Sequence, residues 1–308
     1  MADETTTVAE QQPRQTLSYL QKLFRERGIR PNNKLGQSFL IDINLVDLIE
    51  RHAELTSEDL AIEIGSGTGS LTARLIEHAG AVLSVEIDPA FHSLVSELLG
   101  HRERLVLLHS DALKNKNHLH PRVLDSLTWL REKTGCQRLK LVANLPYAVA
   151  TPVIANFLMS DFQFDRMVVT VQWEIGERLL ALPGTKDFGA LAVMVQSIAD
   201  IELLRHLGRG VFFPRPKVES AILRIWPRAD RRAALIKRFG NLQRVRHFLR
   251  DLYTQRRKNL RGALVALPSG RLGKEEVDRK LIELAIDGTT RAETLDVEQH
   301  LRLCEAFG

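Results

Sequence analysis

The tetrapeptide Asn144-Leu145-Pro146-Tyr147 follows a short apolar run and combines groups that suit chemistry on a purine amine. An exocyclic adenine amine is a poor nucleophile, and carbonyl acceptors for its two N–H groups can direct the nitrogen lone pair at a methyl sulfonium. We expect the Asn144 side chain and the Leu145 main-chain carbonyl to be these acceptors. Pro146 would fix the loop, and Tyr147 would stack on an extruded base. The alternative is a turn with a buried tyrosine. This chemistry requires neither a metal nor a general base.

A glycine turn precedes this tetrapeptide in the chain. The sequence from Ile62 to Gly69 reads as a strand that leads into a helix, with glycine at positions 65, 67 and 69. Such a turn lets main-chain N–H groups and a helix N-terminus approach a ligand. Because Ser70 stands where a dinucleotide fingerprint needs its third glycine, the spacing favours S-adenosylmethionine (SAM) over a nicotinamide cofactor.

Two carboxylates occupy the ends of the next two apolar runs. Glu86 lies some 20 residues after Gly65, where a carboxylate can accept both hydroxyl groups of an adenosine ribose. Asp111 can accept a hydrogen bond from an adenine amino group. The alternatives are a solvated strand end for Glu86 and a capping role for Asp111. Ligands of such sheets bind at the carboxyl ends of the strands, and Gly65, Glu86 and Asp111 all fall there.

The elements that position these residues follow a regular rhythm in the chain. Short apolar runs alternate with amphipathic stretches, a pattern that predicts a parallel sheet with helices on its faces. The predicted strands are 60–64, 81–87, 105–109, 139–143 and 166–171, with helices at 70–78 and from Pro89 onward.

The remaining chain completes an α/β fold with a helical appendage. A helix is predicted over Thr16–Arg27, and another near Val123–Lys133 within a long insertion, 114–137. Val193–Leu203 and Ala221–Trp226 are the predicted last strands, the second antiparallel to the others. After Pro227 the pattern is helical. We therefore expect a Rossmann-like methyltransferase domain with a mainly parallel sheet and one antiparallel strand. The expected division is a disordered tail over 1–15, this domain over 16–227, and a small basic helical domain over 228–308.

Composition places the chain among globular proteins. Its 308 residues are 44% hydrophobic and 26% charged. Two cysteines, Cys136 and Cys304, cannot form a disulfide framework, and the polar N-terminus has no signal-peptide pattern. No apolar run reaches the roughly 20 residues that cross a bilayer. We expect a cytoplasmic protein without a membrane span.

Basic residues are concentrated between Arg228 and Arg261. This segment has twelve basic residues and two acidic ones, although the whole chain has a net charge of only +5. A solvated helix face is the simple explanation, but unpaired like charges repel one another unless a polyanion compensates them. We therefore expect this segment to bind nucleic acid. The candidate RNA contacts are Arg246, Arg250, Arg256, Arg257 and Lys258.

Six motifs in order resemble the KsgA family of ribosomal RNA adenine N6-dimethyltransferases, over a range from Thr16 to the C-terminus. The closing Thr290–Leu295 also looks like the end of that family. The motifs are 33–40 (NKLGQSFL), the turn at Gly65, Glu86, Asp111, 144–147 (NLPY), 212–221 (FFPRPKVESA) and 255–260 (QRRKNL), with the two carboxylates counted together.

The resemblance implies a cofactor, a substrate and further site residues. It implies that SAM is held by Gln37, Ser38 and Leu40 at the methionine part. Asn144 would serve both cofactor and target, and the target base would lie between Tyr147 and Phe212. The remaining implied SAM contacts are those already argued above, at Gly65, Gly67, Glu86 and Asp111. The implied substrate is a pair of adjacent adenines near the 3′ end of 16S rRNA, each methylated twice, and the basic helical domain would hold that RNA by its phosphates.

The chain departs from the family pattern at four places. Ser38 replaces a frequent asparagine, so the contact there could be weaker or be made through the backbone. Ala148 stands where asparagine is common, Trp173 stands where lysine is frequent, and the stretch 114–137 is expanded. These departures bear on substrate placement more than on the reaction type.

Three other functions are compatible with parts of the pattern. A large-subunit rRNA methyltransferase has similar motifs, but the run from Phe212 to Ala221 resembles the small-subunit enzymes more closely. A non-catalytic ribosome-assembly or transcription factor is disfavoured by the intact Glu86, Asp111 and Asn144. A DNA adenine methyltransferase more often has proline or an acidic residue in place of Leu145. We expect a monomer with a role in small-subunit biogenesis.

Overall fold

The computed structural model describes residues 15–32, 35–268 and 272–308. The predicted disordered tail therefore lies outside the described residues, except for Gln15, as do Asn33 and Lys34 of the first motif. Gln15 is buried, and its Nε2 donates a hydrogen bond to the main-chain oxygen of Thr68, at 3.0 Å.

The predicted N-terminal helix is present as α1 (Leu17–Arg27). Thr16 caps it, because its side chain accepts a hydrogen bond from the Tyr19 N–H, and Gly28 ends it in the left-handed conformation. The apolar face packs on aromatic residues from three later segments and belongs to a small core cluster of Leu20, Leu23, Phe24, Phe39, Phe91 and Leu94. Helix α1 is thereby attached to the segment that includes Phe39.

From Asp59 to His109 the sheet agrees with the predicted rhythm to within one or two residues at each boundary, whereas the short strand 39–40 and the helix 43–53 before it were not predicted. Strands β2 and β3 are buried along their whole length, which explains why most of their residues are apolar. The elements are β1 (Phe39–Leu40), α2 (Ile43–Ala53), β2 (Asp59–Ile64), α3 (Ser70–His78), β3 (Ala81–Glu86), α4 (Pro89–Leu99) and β4 (Leu105–His109).

The insertion folds as a hairpin and a helix. Strands β5 (Leu113–Asn115) and β6 (His118–Leu119) form the hairpin, which was not predicted, and helix α5 (Pro121–Thr134) confirms the helix predicted near 123–133. Val123, Leu127 and Leu130 are the buried face of α5, and they join the main hydrophobic core.

The second half of the chain's sheet region contains one wrong prediction. Val193–Ile198 is not strand but the end of helix α8, and the strand begins only at Ala199. Helix α8 is covered on almost every side, so its apolar residues show no helical period and resemble a buried strand. The elements are β7 (Arg138–Asn144), α6 (Ala150–Met159), β8 (Phe164–Gln172), α7 (Trp173–Leu180), α8 (Ala190–Ile198), β9 (Ala199–Leu207), β10 (Phe212–Phe213) and β11 (Ser220–Pro227).

Seven strands form the main sheet, in the order β4-β3-β2-β7-β8-β11-β9. Strands β4, β3, β2, β7 and β8 are parallel neighbours, whereas β11 is antiparallel to both β8 and β9. The predicted mainly parallel sheet with one antiparallel strand is therefore confirmed. The carboxyl ends of β2, β3, β4 and β7 lie at one edge, where Gly65, Glu86, Asp111 and Asn144 follow or end these strands.

The chain after Pro227 is helical, as predicted. Among the described residues, no helix is long and apolar enough to cross a membrane. Helices α8, α10 and α13 contact one another, and one hydrophobic cluster extends from the sheet into the C-terminal helices. The division at residue 227 stays a prediction. The helices are α9 (Ala229–Phe239), α10 (Leu242–Thr254), α11 (Leu260–Val265), α12 (Lys274–Glu283) and α13 (Val297–Phe307).

Candidate active site

The glycine turn and the 144–147 loop are in direct contact. Gly65 has a φ of +86°, and a Cβ atom at this position would lie 2.9 Å from Pro146 Cγ. Gly36 has a φ of +68°, and a Cβ atom there would lie 3.0 Å from the main-chain nitrogen of Tyr147. Both positions therefore require glycine for backbone conformation and for space. Together they bring the 36–40 segment, the turn and the loop to one point.

Glu86 closes β3 beneath the glycine turn. One carboxylate oxygen accepts a hydrogen bond from the Gly67 N–H at 3.0 Å, and the other accepts one from the Asp88 N–H at 2.9 Å. The side chain is 6% exposed, and burial raises the pKa of this carboxyl, opposed by these main-chain hydrogen bonds. The carboxylate is thus held in one orientation by the turn it accompanies.

Asp111 follows β4 at the same edge and is exposed. Its Oδ1 accepts a hydrogen bond from the Leu113 N–H at 2.9 Å, which is a turn contact rather than a helix cap, because strand β5 and not a helix follows. The bond orients the side chain and leaves Oδ2 for a ligand, because a carboxylate has several acceptor positions.

Most of the predicted site residues line one open cleft. The predicted residues that line it are Gln37, Ser38, Gly65, Gly67, Glu86, Asp111, Asn144, Leu145 and Pro146.

Leu40 is outside this cleft, and Phe39 lines it instead. Neighbouring residues of a strand point in opposite directions, so Phe39 faces the cleft while Leu40 packs in a core cluster with Val46 and Phe212. Sequence reasoning did not identify Phe39. The available signal was that neighbouring strand residues face opposite sides. A strand of two residues is too short to show which of the two faces the cleft.

Gln37 and Ser38 use their side chains for internal contacts. Gln37 accepts a hydrogen bond from the Asn32 N–H and donates one to Asp88 Oδ2 at 2.9 Å. Ser38 Oγ donates to the main-chain oxygen of Pro214 at 3.1 Å. The Ser38 main-chain oxygen accepts a hydrogen bond from Asn144 Nδ2.

Asn144 ends β7 with its side-chain amide held in one orientation. Its Nδ2 donates a hydrogen bond to the Ser38 main-chain oxygen at 2.9 Å. Its Oδ1 is buried and has no hydrogen-bond partner among the described residues. A buried acceptor without a partner is unfavourable by roughly 1–3 kcal/mol, so this oxygen is suited to receive a ligand N–H group.

The two aromatic residues that the resemblance implied do not line the cleft. Tyr147 is half-buried, and its hydroxyl lies 2.6 Å from Ser220 Oγ. Burial raises the pKa of this phenol, so it is neutral near pH 7. Phe212 is 3% exposed and packs in the same core cluster as Leu40 and Ile222, so its ring is covered by protein. Stacking of a base between the two rings stays a prediction.

The basic segment 228–261 is not uncompensated, contrary to the sequence-based expectation. Many of its arginines form ion pairs with acidic side chains that lie outside the segment in the sequence. The count of charges within 228–261 could not include these acidic residues. The ion pairs join Arg228 and Arg231 to Asp200, Arg238 to Glu298 and Glu305, Arg256 to Glu293, and Arg261 to Asp278.

The five candidate RNA contacts therefore differ from one another. Arg246 bonds internally, since its guanidinium donates to Asn156 Oδ1 at 3.0 Å and to Asn117 Oδ1 at 3.1 Å. Arg250 pairs with the adjacent Asp251, and Arg256 pairs with Glu293. The other two, Arg257 and Lys258, are exposed and have no side-chain partner in the described part of the chain.

Curated relatives match nearly the whole chain. A protein of Geobacillus sp. named "Ribosomal RNA small subunit methyltransferase A" is 37% identical over 287 residues, covering 93% of this chain and 94% of that protein. A protein of the same name from Moorella thermoacetica is 38% identical over 282 residues, covering 90% of this chain and 92% of that protein.

Solved structures share the fold. A dimethyladenosine transferase from Plasmodium falciparum superposes with a TM-score of 0.68 at 23% identity, covering 86% of this chain and 95% of that chain. The 23S rRNA methyltransferase ErmE superposes with a TM-score of 0.58 at 24% identity, covering 87% of this chain and 99% of that chain. At these identities the similarity concerns the fold alone.

The description "Ribosomal RNA adenine dimethylase" belongs to the family that matches residues 28–307, a range that includes every residue of the cleft described above. With this match and relatives of 37–38% identity over most of their length, the chain belongs to the ribosomal RNA adenine dimethylase family.

Proposed function

We propose that this protein transfers methyl groups from SAM to the N6 atoms of adenines in small-subunit rRNA. The observation that carries the proposal is the buried Asn144 Oδ1, an acceptor without a partner among the described residues, at the edge of the cleft that Gly65 and Glu86 line. Family membership and the names of the curated relatives support the reaction and the substrate class.

The residues present fit SAM. The glycine turn approaches closely because no side chain intervenes, Glu86 would accept the ribose hydroxyl groups, and Asp111 would accept the adenine amino group. Gln37 and Ser38 would border the methionine part, and the Gly65 and Gly67 main chain would lie beside it. When bound, SAM supplies an electrophilic methyl group on its sulfonium.

The 144–147 loop would prepare the target amine. Asn144 Oδ1 would accept one N–H of the adenine amine, and the Leu145 main-chain oxygen would accept the other, which directs the nitrogen lone pair away from the ring. Pro146 restricts the loop, and the Tyr147 ring would support the extruded base. The amine proton leaves to solvent after transfer, when the nitrogen is strongly acidic, so these residues need only position and polarise.

We further propose the specific substrate. Two adjacent adenines in the hairpin near the 3′ end of 16S rRNA would each receive two methyl groups, on the small subunit or its precursor. The protein would act as a monomer in the cytoplasm, where small subunits are assembled. The similarity to relatives named for the small subunit favours this RNA over the large-subunit alternative.

Transfer of labelled methyl groups from SAM to small ribosomal subunits that lack this modification tests the proposal. Large subunits and duplex DNA are the control substrates, and nucleoside analysis identifies the product. We expect N6,N6-dimethyladenosine in small-subunit rRNA alone. Label in the large subunit would favour the large-subunit alternative, and tight binding of small subunits without transfer would favour a non-catalytic assembly factor.

A further inference from the structure

A run of positive charge lies on both sides of strand β10, and it overlaps the 212–221 motif. Between Leu203 and Val218 the sequence has three arginines, one lysine and no acidic residue. These four residues, the rim cations, are Arg205, Arg209, Arg215 and Lys217. All four are exposed, and none has a side-chain hydrogen bond or ion pair with a residue that the structure describes.

The backbone of this run is held against the cofactor cleft. Strand β10 lies between Arg209 and Arg215, and its Phe213 pairs with Phe39, which lines the cleft. The Pro214 main-chain oxygen accepts the hydrogen bond from Ser38 Oγ, and the Ile41 N–H donates to the Val211 main-chain oxygen at 3.0 Å. The rim cations therefore flank the strand that supports the cleft.

The same run leads to the residue that holds Tyr147. Ser220, whose Oγ contacts the Tyr147 hydroxyl, follows Lys217 by three positions. An extruded base that stacks on Tyr147 would have its flanking phosphates near this segment, because consecutive phosphates are attached to the same strand.

Protection of a sheet edge explains only one of these four charges. Strand β9 is an edge strand, and charged residues on edge strands prevent pairing with other chains, which accounts for Arg205. Arg209, Arg215 and Lys217 lie beyond that strand. By contrast, the arginines of the 228–261 segment are in large part bonded within the protein, so they have less charge available for a partner.

We propose that the rim cations bind the phosphate backbone of the RNA on both sides of the target adenine. This inference rests on the proposed function and assigns a substrate-binding surface to the same site. Phosphate contacts give affinity and position rather than sequence recognition. The surface would therefore place the strand over the 144–147 loop.

The salt dependence of RNA binding tests the inference. The variant R209Q/R215Q removes two rim cations, and R102Q/R104Q removes two exposed arginines without side-chain partners at the amino end of β4, the opposite edge of the sheet. The affinity for small-subunit rRNA is measured at several salt concentrations, and SAM affinity is measured for each protein. We expect R209Q/R215Q to bind RNA roughly 10-fold more weakly near 0.1 M salt, with a log–log slope smaller by about 1.5, and SAM affinity to be unchanged.

Binding by R209Q/R215Q equal to that of R102Q/R104Q would overturn the inference. If the double variant bound SAM poorly, the single variants R209Q and R215Q would decide, each with about half of the expected slope change. Methyl transfer by the unaltered protein separates the two proposals. Transfer to small-subunit rRNA together with unchanged RNA binding by the variants refutes the surface alone, whereas absence of transfer refutes the proposed function.

Discussion

The orientation of one amide group determines what the 144–147 loop can do. Asn144 donates through Nδ2 to the Ser38 main-chain oxygen, so the acceptor end of the amide is the end without a partner among the described residues. The sequence predicted an acceptor at this position. The structure adds the donor contact that holds the acceptor in place.

We predict that Asn144→Ala decreases methyl transfer on the order of 10²–10³-fold, because one of the two acceptors for the target amine is removed. SAM binding should weaken far less, since Glu86 and the glycine turn are unchanged. Single-turnover methyl transfer and calorimetric titration with SAM measure the two effects. Equal losses in both would argue that Asn144 only holds the cofactor.

The protonation state of Glu63 is determined by its surroundings. Its carboxyl is buried in β2, and this burial raises its pKa to about 7, against hydrogen bonds from the Ser84 and Thr72 hydroxyls that lower it. The native state therefore retains a proton that the unfolded state has lost between about pH 4.5 and 7. Its contribution to stability is full below pH 4.5 and decreases as the pH rises to about 7.

We predict that the free energy of unfolding decreases between pH 6 and pH 8 by about 1 kcal/mol more in the natural protein than in Glu63→Gln. The glutamine keeps an acceptor for the two hydroxyls and does not ionise. Urea denaturation at both pH values provides the measurement. Parallel pH dependence in the two proteins would show that Glu63 is already ionised at pH 6.

At the scale of elements, the site depends on close packing between the glycine turn and the 144–147 loop. Gly65 and Gly184 have nearly the same positive φ, +86° and +85°, but they have different surroundings. A Cβ atom at Gly65 would collide with Pro146, whereas at Gly184 it would meet nothing within 4 Å. Alanine substitutions at these two glycines therefore separate the cost of the positive φ from the cost of the contact with Pro146.

We predict that Gly184→Ala lowers the free energy of unfolding by roughly 1–2 kcal/mol, the effect of the left-handed backbone alone. Gly65→Ala should lower it further and should also weaken SAM binding, because Pro146 and the loop must move. Chemical denaturation and SAM titration of both variants measure these effects. Identical stability losses with normal SAM binding in both would mean that the loop accommodates the methyl group freely.

At the scale of the whole molecule, Arg246 connects the C-terminal helices to the methyltransferase fold. Its guanidinium on α10 bonds Asn117 in the insertion hairpin and Asn156 on α6, and it is partly buried. Arg257 lies in the same basic segment but is exposed and has no side-chain partner among the described residues. Arg246 should therefore contribute to stability, and Arg257 should contribute to RNA binding.

We predict that Arg246→Gln lowers the free energy of unfolding by about 1–2 kcal/mol, because it leaves the Oδ1 of the buried Asn156 without its donor, and that RNA affinity changes little at temperatures where the variant is folded. Arg257→Gln should leave stability unchanged. It should decrease the slope of log affinity against log salt concentration by about the amount that one phosphate contact contributes. Denaturation curves and salt titrations compare the two variants. The reverse pattern would place Arg246 on the RNA-binding surface.

The sequence by itself determined the features that depend on neighbouring residues. These are the strand and helix rhythm around the sheet, the glycine turn at Gly65, the carboxylates at strand ends and the 144–147 loop, because hydrophobic period and turn chemistry act over a few positions. Helix α8 was missed for a related reason, since a helix that is buried on most sides has no visible period.

Only the tertiary structure decided the features that join distant segments. The hydrogen bond from Asn144 to Ser38 spans 106 positions, and the pairing of Arg238 with Glu298 and Glu305 spans 60 and 67. Which of Phe39 and Leu40 faces the cleft, and which arginines keep a charge available for RNA, likewise depends on packing. Contacts of this kind form between groups whose meeting is set by the whole fold, so no local pattern in the chain contains them.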